Sequence, residues 1–229
     1  MSAHDPHDHA HDGHGHDHAG GHGHDHRTFQ PDDPLPPLDS LAREAALRDL
    51  LIERGIFTRE ELRAAMEAMD ARGEAMGARI VARAWTDPAF RDMLLERPAT
   101  ALRAFGIDMG VNDLMAVENT PDVHNVVVCT LCSCYPRLIL GIPPAWYKSR
   151  EYRSRLVREP RAVLSEFGLD LPAGVAVRVH DSTADLRYLV VPMRPEGTEG
   201  WTEERLATLV SRDSMIGVAT ARSSAAGAA

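Results

Sequence analysis

No apolar stretch in this 229-residue chain approaches the length of a membrane span. The start, Met1-Ser2-Ala3-His4-Asp5, lacks the basic and apolar regions of a secretory signal. Positive charge is in deficit: 25 Lys and Arg against 34 Asp and Glu give a net charge of -9, which argues against a dedicated nucleic-acid binder. Cysteine is scarce, with three residues, all within six consecutive positions. Closely spaced thiols without an export signal make a reducing cytoplasm the expected compartment. The 44% hydrophobic and 26% charged fractions are those of an ordinary soluble globular protein with one or two domains.

The cysteines lie in Cys129-Thr130-Leu131-Cys132-Ser133-Cys134, a C-x-x-C fused to a C-x-C. The apolar run Val126-Val127-Val128 before them reads as a buried strand, and Pro136 just after forbids simple strand continuation. The thiols therefore sit on a tight loop at a strand end, close enough to converge on one point. Thiolates select zinc, iron–sulfur or another thiophilic metal. Three are one short of a tetrahedral zinc site, and no second C-x-x-C completes one. Spacing alone leaves open a structural zinc loop and a redox C-x-x-C pair. It also allows a basket of three sulfurs and the backbone amides of Ser133 and Cys134, with one open position. An open position on a Lewis-acidic metal can activate water or polarise a substrate.

Along the chain, residues 1–26 hold ten of the 12 histidines (4, 7, 9, 11, 14, 16, 18, 22, 24 and 26), set among Asp and Gly. With no apolar residue larger than alanine after Met1, this stretch buries no core and is expected to be disordered. It suits either loose multivalent binding of divalent metal through neutral imidazoles or an inert solubilising tail. Pro31 to Pro37 reads as a stiff linker, so residues 1–37 are tail and linker. Residues 38–75 read as a helical arm: one helix from Asp39 stopped by Gly55, and a second opened by the capping box at Thr58 and Glu61. Two such helices carry too little apolar surface to stand alone, so the arm packs on this chain's core or on a partner subunit.

Residues 76–220 read as the main domain. Helices are expected around Ala78–Trp85, from Asp87-Pro88 to Leu95, and from Pro98 to Phe105. Strands are expected at Leu114–Glu118, His124–Val128, Val175–His180 and Leu186–Val191, with Asp181-Ser182-Thr183 in a connection. Short helices are expected after Pro143-Pro144, from Pro160 to Gly168, and from Thr202 to Leu209. Tyr147 to Arg158 carries Lys148, Arg150, Arg153, Arg155 and Arg158, read as a solvated helical face balanced by Glu151 and Glu159, with some arginines available to the thiolate cluster's negative charge. His124 reads as a structural histidine rather than a ligand. Residues 221–229 are expected to fray. Strands and helices do not alternate as βαβ throughout, so the fold class is α+β.

Val128-Cys129-Thr130-Leu131-Cys132-Ser133-Cys134-Tyr135-Pro136 resembles the metal claw of nitrile hydratase alpha subunits and of the related thiocyanate hydrolase gamma subunit. The likeness runs from Gly77-Ala78-Arg79 through Glu118-Asn119-Thr120-Pro121, Val157-Arg158-Glu159-Pro160 and Arg194-Pro195 to Asp213–Val218. The resemblance implies an antiparallel sheet core with outer helices. It implies one non-corrin Co(III) per chain, held by Cys129, Cys132, Cys134 and the amides of Ser133 and Cys134. Thr130, rather than Ser at that position, goes with cobalt instead of iron. Cys132 and Cys134 are implied to be oxidised to sulfinate and sulfenate.

The implied activity is hydration of a nitrile to its amide, with Cys134, Cys132 and Arg137 as the residues acting on substrate. The implied partners are a beta subunit, whose arginines complete the site, and a small activator or metallochaperone. Many alpha subunits of the family have Trp after Tyr-Pro where this chain has Arg137. That residue, Pro195-Glu196-Gly197 and the His-Asp tail look more like thiocyanate hydrolase gamma, whereas Glu118 to Asn125 looks like nitrile hydratases. Thiocyanate hydrolysis is therefore the alternative activity, and a non-catalytic metal-binding or redox module is a third reading.

Overall fold

The computed structural model describes residues 37–110 and 112–224; the histidine-rich stretch and the last five residues lie outside the described residues. Two helices come first, α1 (Leu38–Glu53) and α2 (Arg59–Asp70). The sequence-predicted capping box is formed: Thr58 Oγ1 accepts from the Glu61 amide at 3.1 Å, and the Glu61 carboxylate accepts from the Thr58 amide at 2.7 Å. Neither helix buries a residue. Leu41, Leu47, Leu50, Met66 and Met69 stay exposed.

The next three helices are α3 (Ala75–Thr86), α4 (Pro88–Glu96) and α5 (Pro98–Arg103). Ile80 and Val81 of α3, Leu94 of α4 and Leu102 of α5 are fully buried in the core. Asp87 caps α4 by accepting from the Phe90 amide at 3.0 Å, with Pro88 in the first turn where it forfeits no intrahelical bond.

Strands β1 (Asp113–Glu118) and β2 (Val123–Val128) follow. After the cysteine loop come four short helices, α6 (Arg137–Leu140), α7 (Ala145–Lys148), α8 (Arg150–Leu156) and α9 (Pro160–Glu166). Then come β3 (Ala176–Asp181), β4 (Leu186–Val191), α10 (Glu203–Ala207) and α11 (Arg212–Ile216).

The mixed helix-and-strand class is as expected, but the antiparallel sheet is not what forms. β1 pairs with β4 and β2 with β3, both in parallel. The reason is connectivity. The turn at Asn119–Asp122 reverses the chain but closes only a single antiparallel bridge, Thr120 with Val123. Each early strand instead meets a strand that returns after the helical crossover α6–α9, and a long crossover brings the chain back in the same direction. β2 is buried from His124 to Val128, as a strand covered on both faces should be. Asp181, expected in a connection, is the last residue of β3 and pairs in register with Val128.

The basic stretch is two helices rather than one. Ser149 caps α8 by accepting from the Tyr152 amide at 3.1 Å, which breaks it from α7. The sequence did not announce α11, because its box, Ser211 with Ser214, lacks the usual Glu or Gln. Gly217 ends it at φ +91°, where a Cβ would lie 2.1 Å from the Asn125 carbonyl oxygen. Only glycine permits that approach of α11 to β2.

Candidate metal centre

β2 ends at Val128, and the next six residues form the loop. Cys129 is buried, Cys134 half-buried and Cys132 exposed, and their sulfurs all lie within 4.8 Å of one another. Cys132 Sγ is 3.7 Å from Cys129 Sγ and 2.9 Å from Cys134 Sγ. Ser133 has φ +78°, the single non-glycine in the left-handed region among the described residues. That conformation costs about 1–2 kcal/mol and must be held by its surroundings. It folds the C-x-C back on itself, which lets the flanking sulfurs converge.

The surroundings grip the loop at several points. Asp181 accepts from the Thr130 amide at 2.9 Å and from Thr130 Oγ1 at 2.6 Å. Tyr152 donates its hydroxyl to the Val127 carbonyl at 2.7 Å, just before the loop. Tyr147 donates to the Cys134 carbonyl at 2.8 Å, at its end. Burial pushes both phenols above their ordinary range, so they remain neutral donors. Arg153 reaches the Leu131 carbonyl at 3.2 Å.

The thiols differ electrostatically. Burial acts to raise Cys129, but the amides of Cys132, Cys134 and Leu131 outweigh it and hold the thiol below its usual value. The Cys134 amide is thus aimed into the sulfur cluster. Cys134 is pushed up to about 12 by burial, by its hydrogen bond with Cys132 and by the nearby Cys129 charge, with Arg187 pulling the other way. Crowded sulfurs that repel one another's charge when metal-free are the arrangement a cation relieves. Three soft donors with convergent amides therefore fit a thiophilic metal.

Beside the sulfurs lies a cavity of about 380 Å³, lined by Met109, Asn112, the stretch Cys132–Leu138 and Arg187. Arg137 is exposed there as the first residue of α6, and among the described residues it has no ion-pair partner. Arg187 was not anticipated, since sequence placed it only within an alternating strand. β1–β4 pairing brings it to this cavity. Its Nη1 donates to the Thr183 carbonyl and, at 2.9 Å, to the Ala184 carbonyl, which fixes the guanidinium. A strand arginine beside an Asp-Ser-Thr segment carries no local signal of such a role.

His124 lies away from the sulfur cluster. Its Nε2 donates to the Gly217 carbonyl at 2.7 Å, and its Nδ1 accepts from Asn119 Nδ2 at 3.3 Å. Asn119 Oδ1 accepts from the Asn125 amide at 2.7 Å, and His180 Nε2 donates to Asn125 Oδ1 at 2.8 Å. This buried polar chain satisfies the one Asn and one His inside β2 and ties the strand to β3 and α11.

The family model "Nitrile hydratase, alpha chain" matches residues 39–219. The chain is 50% identical over 184 residues to the cobalt-containing nitrile hydratase subunit alpha of Pseudonocardia thermophila, covering 79% of this chain and 90% of that one. It is 46% identical over 188 residues to the thiocyanate hydrolase subunit gamma of Thiobacillus thioparus, covering 77% of each. A double mutant of the Fe-type nitrile hydratase from Comamonas testosteroni Ni1 has a similar structure, with TM-score 0.75, 42% identity, and coverage of 81% of this chain and 92% of that one. The match spans the claw, its supporting strands and the helices around them: the chain belongs to the nitrile hydratase alpha-chain family.

Proposed function

We propose that this chain is the catalytic alpha subunit of a cobalt nitrile hydratase, a hydro-lyase that converts a small nitrile to its amide in the cytoplasm. The observation that carries this is the convergence of the Cys129, Cys132 and Cys134 sulfurs beside a cavity open to small molecules. Cys129, Cys132, Cys134 and the amides of Ser133 and Cys134 would hold the metal. Bound there, cobalt would supply Lewis acidity toward water or the nitrile. Thr130 and the identity with the Pseudonocardia cobalt subunit favour cobalt over the iron of the Comamonas relative.

The chain's own residues do the rest. Asp181, Tyr147 and Tyr152 fix the loop so that its donors need no reorganisation. Cys134, as the sulfenate that the family resemblance implies, would act beside the cavity as a base toward water, or as a nucleophile toward the nitrile carbon whose transferred oxygen is replaced from water. Cys132, carried as sulfinate, is a fixed anion that requires cationic partners. Arg137 and Arg187 line the same cavity and supply part of that charge.

A beta subunit completes the site and covers what this chain leaves bare. Leu131 at the loop tip is 81% exposed, and Leu38 on α1 is 85% exposed. The arm α1–α2 buries nothing of its own and suits packing on such a partner. A small activator or metallochaperone is a further partner in this proposal. The test is co-expression with a candidate beta subunit and cobalt, followed by metal analysis and an amide-release assay; zinc or no metal with no amide would refute the assignment.

One observation supports a second reading. Two arginines at the cavity, rather than Arg137 alone, leave positive charge after one neutralises a sulfinate, and an anionic substrate needs such a surplus. That favours thiocyanate, hydrolysed to carbonyl sulfide and ammonia, as the competing substrate. The higher identity to the cobalt nitrile hydratase subunit keeps the nitrile first.

A further inference from the structure

Ser182 follows Asp181, the last residue of β3, and its amide donates to the Val128 carbonyl at 2.7 Å. The parallel ladder of β2 and β3 thus runs on to the start of the claw loop, with Ser182 alongside Cys129. Ser182 is 2% exposed, and its hydroxyl meets no hydrogen-bond partner among the described residues. A buried hydroxyl left in that state costs stability that an alanine would not.

Beside it stands the Tyr147 phenol. Tyr147 is fully buried on α7, its ring set edge-on against Tyr135 with centroids 5.1 Å apart and tilted against Tyr152 at 5.8 Å. That packing leaves the ring one position, from which the hydroxyl donates to the Cys134 carbonyl at 2.8 Å. Burial pushes this phenol above its ordinary range and the nearby Cys129 charge adds to the rise, while the Ser182 hydroxyl, a donor toward the same oxygen, pulls the other way. Ser182 is therefore within donating reach of Tyr147, although the pair as placed completes no hydrogen bond of ordinary geometry.

We propose that Ser182 is a positioning residue of the metal centre: its hydroxyl gives its hydrogen to the Tyr147 oxygen, which commits the Tyr147 hydrogen to the Cys134 carbonyl and so fixes Cys134. A phenol has one hydrogen, and here it can point to Cys134 or to Ser182. With Ser182 as the donor the second choice is closed, and the two bonds in series polarise and strengthen one another. Adjacent residues then hold the two ends of one loop, Asp181 gripping Thr130 and Ser182 acting on Cys134 through Tyr147. The effect on metal rests on the claw being the metal centre proposed above, whereas the hydroxyl chain itself does not.

Full-length protein carrying Ser182→Ala, Ser182→Thr, Tyr147→Phe or Ser182→Ala with Tyr147→Phe tests this, first without metal. Amide hydrogen exchange over residues 130–135 should be roughly three- to tenfold faster in Ser182→Ala, and Ser182→Thr, which keeps a hydroxyl, should restore the wild-type rate. In the Tyr147→Phe background Ser182→Ala should change nothing further, because its route to the loop is already gone. In the cobalt-loaded complex Ser182→Ala should shift the sulfur-to-cobalt charge-transfer absorption and release cobalt to a chelator faster by a similar factor, again with rescue by threonine. Wild-type exchange in Ser182→Ala, or equal acceleration in both backgrounds, would overturn the proposal. If Tyr147→Phe does not fold, the contrast between Ser182→Ala and Ser182→Thr decides alone. Cobalt held by Ser182→Ala with wild-type spectrum and retention would overturn the positioning role while leaving the metal centre intact. The expected exchange pattern in a protein that takes up no cobalt would refute the metal-centre reading and leave the hydroxyl chain standing.

Discussion

Asp181 and Thr130 are clasped by two hydrogen bonds, from the Thr130 amide at 2.9 Å and from its hydroxyl at 2.6 Å. The clasp joins the end of β3 to the first turn of the claw. Fifty-one positions of sequence separate the two residues, so the contact exists only because β2 and β3 pair in parallel. Asp181→Asn keeps the size but loses the charge, and one of its two atoms facing Thr130 becomes a donor. Such a charge-assisted contact is worth about 1.5–3 kcal/mol, so cobalt should dissociate roughly 10- to 100-fold faster. Metal retention during chelator challenge measures this. Unchanged retention would remove Asp181 from the centre's support.

Each cysteine of the claw should be indispensable. Cys129→Ala, Cys132→Ala or Cys134→Ala removes one donor and leaves a site that cannot complete its ligand set. Cobalt content after purification should fall close to zero, or turnover with it. A Cys132→Ala protein with full cobalt and normal amide release would sink the mechanism.

Stability should decline in mild acid through His124. Burial holds this histidine below the ordinary value of 6.5, although its bond to the Gly217 carbonyl opposes the shift. His180 is also lowered, by burial and then by Arg178. A depressed folded value means that the unfolded chain binds the proton more readily. Stability is therefore complete above pH ~6.5 and is lost as pH falls from there toward the folded value. Melting temperature between pH 7.5 and 5 should fall, and the slope should flatten in His124→Gln. An identical slope in that variant would assign the acid sensitivity elsewhere.

Gly217→Ala should be among the most damaging single changes outside the claw. Its Cβ would meet the Asn125 carbonyl oxygen at 2.1 Å, from a backbone already at φ +91°. Displacing α11 from β2 also breaks the His124 bond to the Gly217 carbonyl. A loss of about 3 kcal/mol or more is expected, and chemical denaturation would show it. A variant within about 0.5 kcal/mol of wild type, a figure typical of neutral surface sites, would contradict this close approach.

Substrate choice should turn on the two cavity arginines. Reconstituted enzyme should release amide from a small nitrile faster than ammonia from thiocyanate. Arg137→Trp should reduce any thiocyanate activity about tenfold more than it reduces nitrile turnover, because an anionic substrate loses the attraction of that charge as well as its support of the site. Arg187→Gln should act in the same direction and lower metal-free thiol acidity at Cys134, since Arg187 counters the rise in that thiol. The reverse substrate ranking under matched conditions would select the thiocyanate reading.

The sequence by itself determined whatever is local. Six residues set the sulfur spacing, Thr58 and Asp87 opened their helices, and the 3.6-residue and two-residue periods placed most elements. Each of these signals acts over a few residues, where backbone sterics and short hydrogen bonds dominate. Tertiary structure alone decided the rest. Strand direction depended on the path of the α6–α9 crossover, which no strand records in its own pattern. Asp181 and Arg187 acquired their places because pairing carried β3 and β4 back to the claw, and Glu159 was drawn away from Arg158 by Arg155. Charges and polar groups look alike along a chain. Which of them meet is set by long-range packing, because burial and proximity, rather than residue type, fix the worth of each contact.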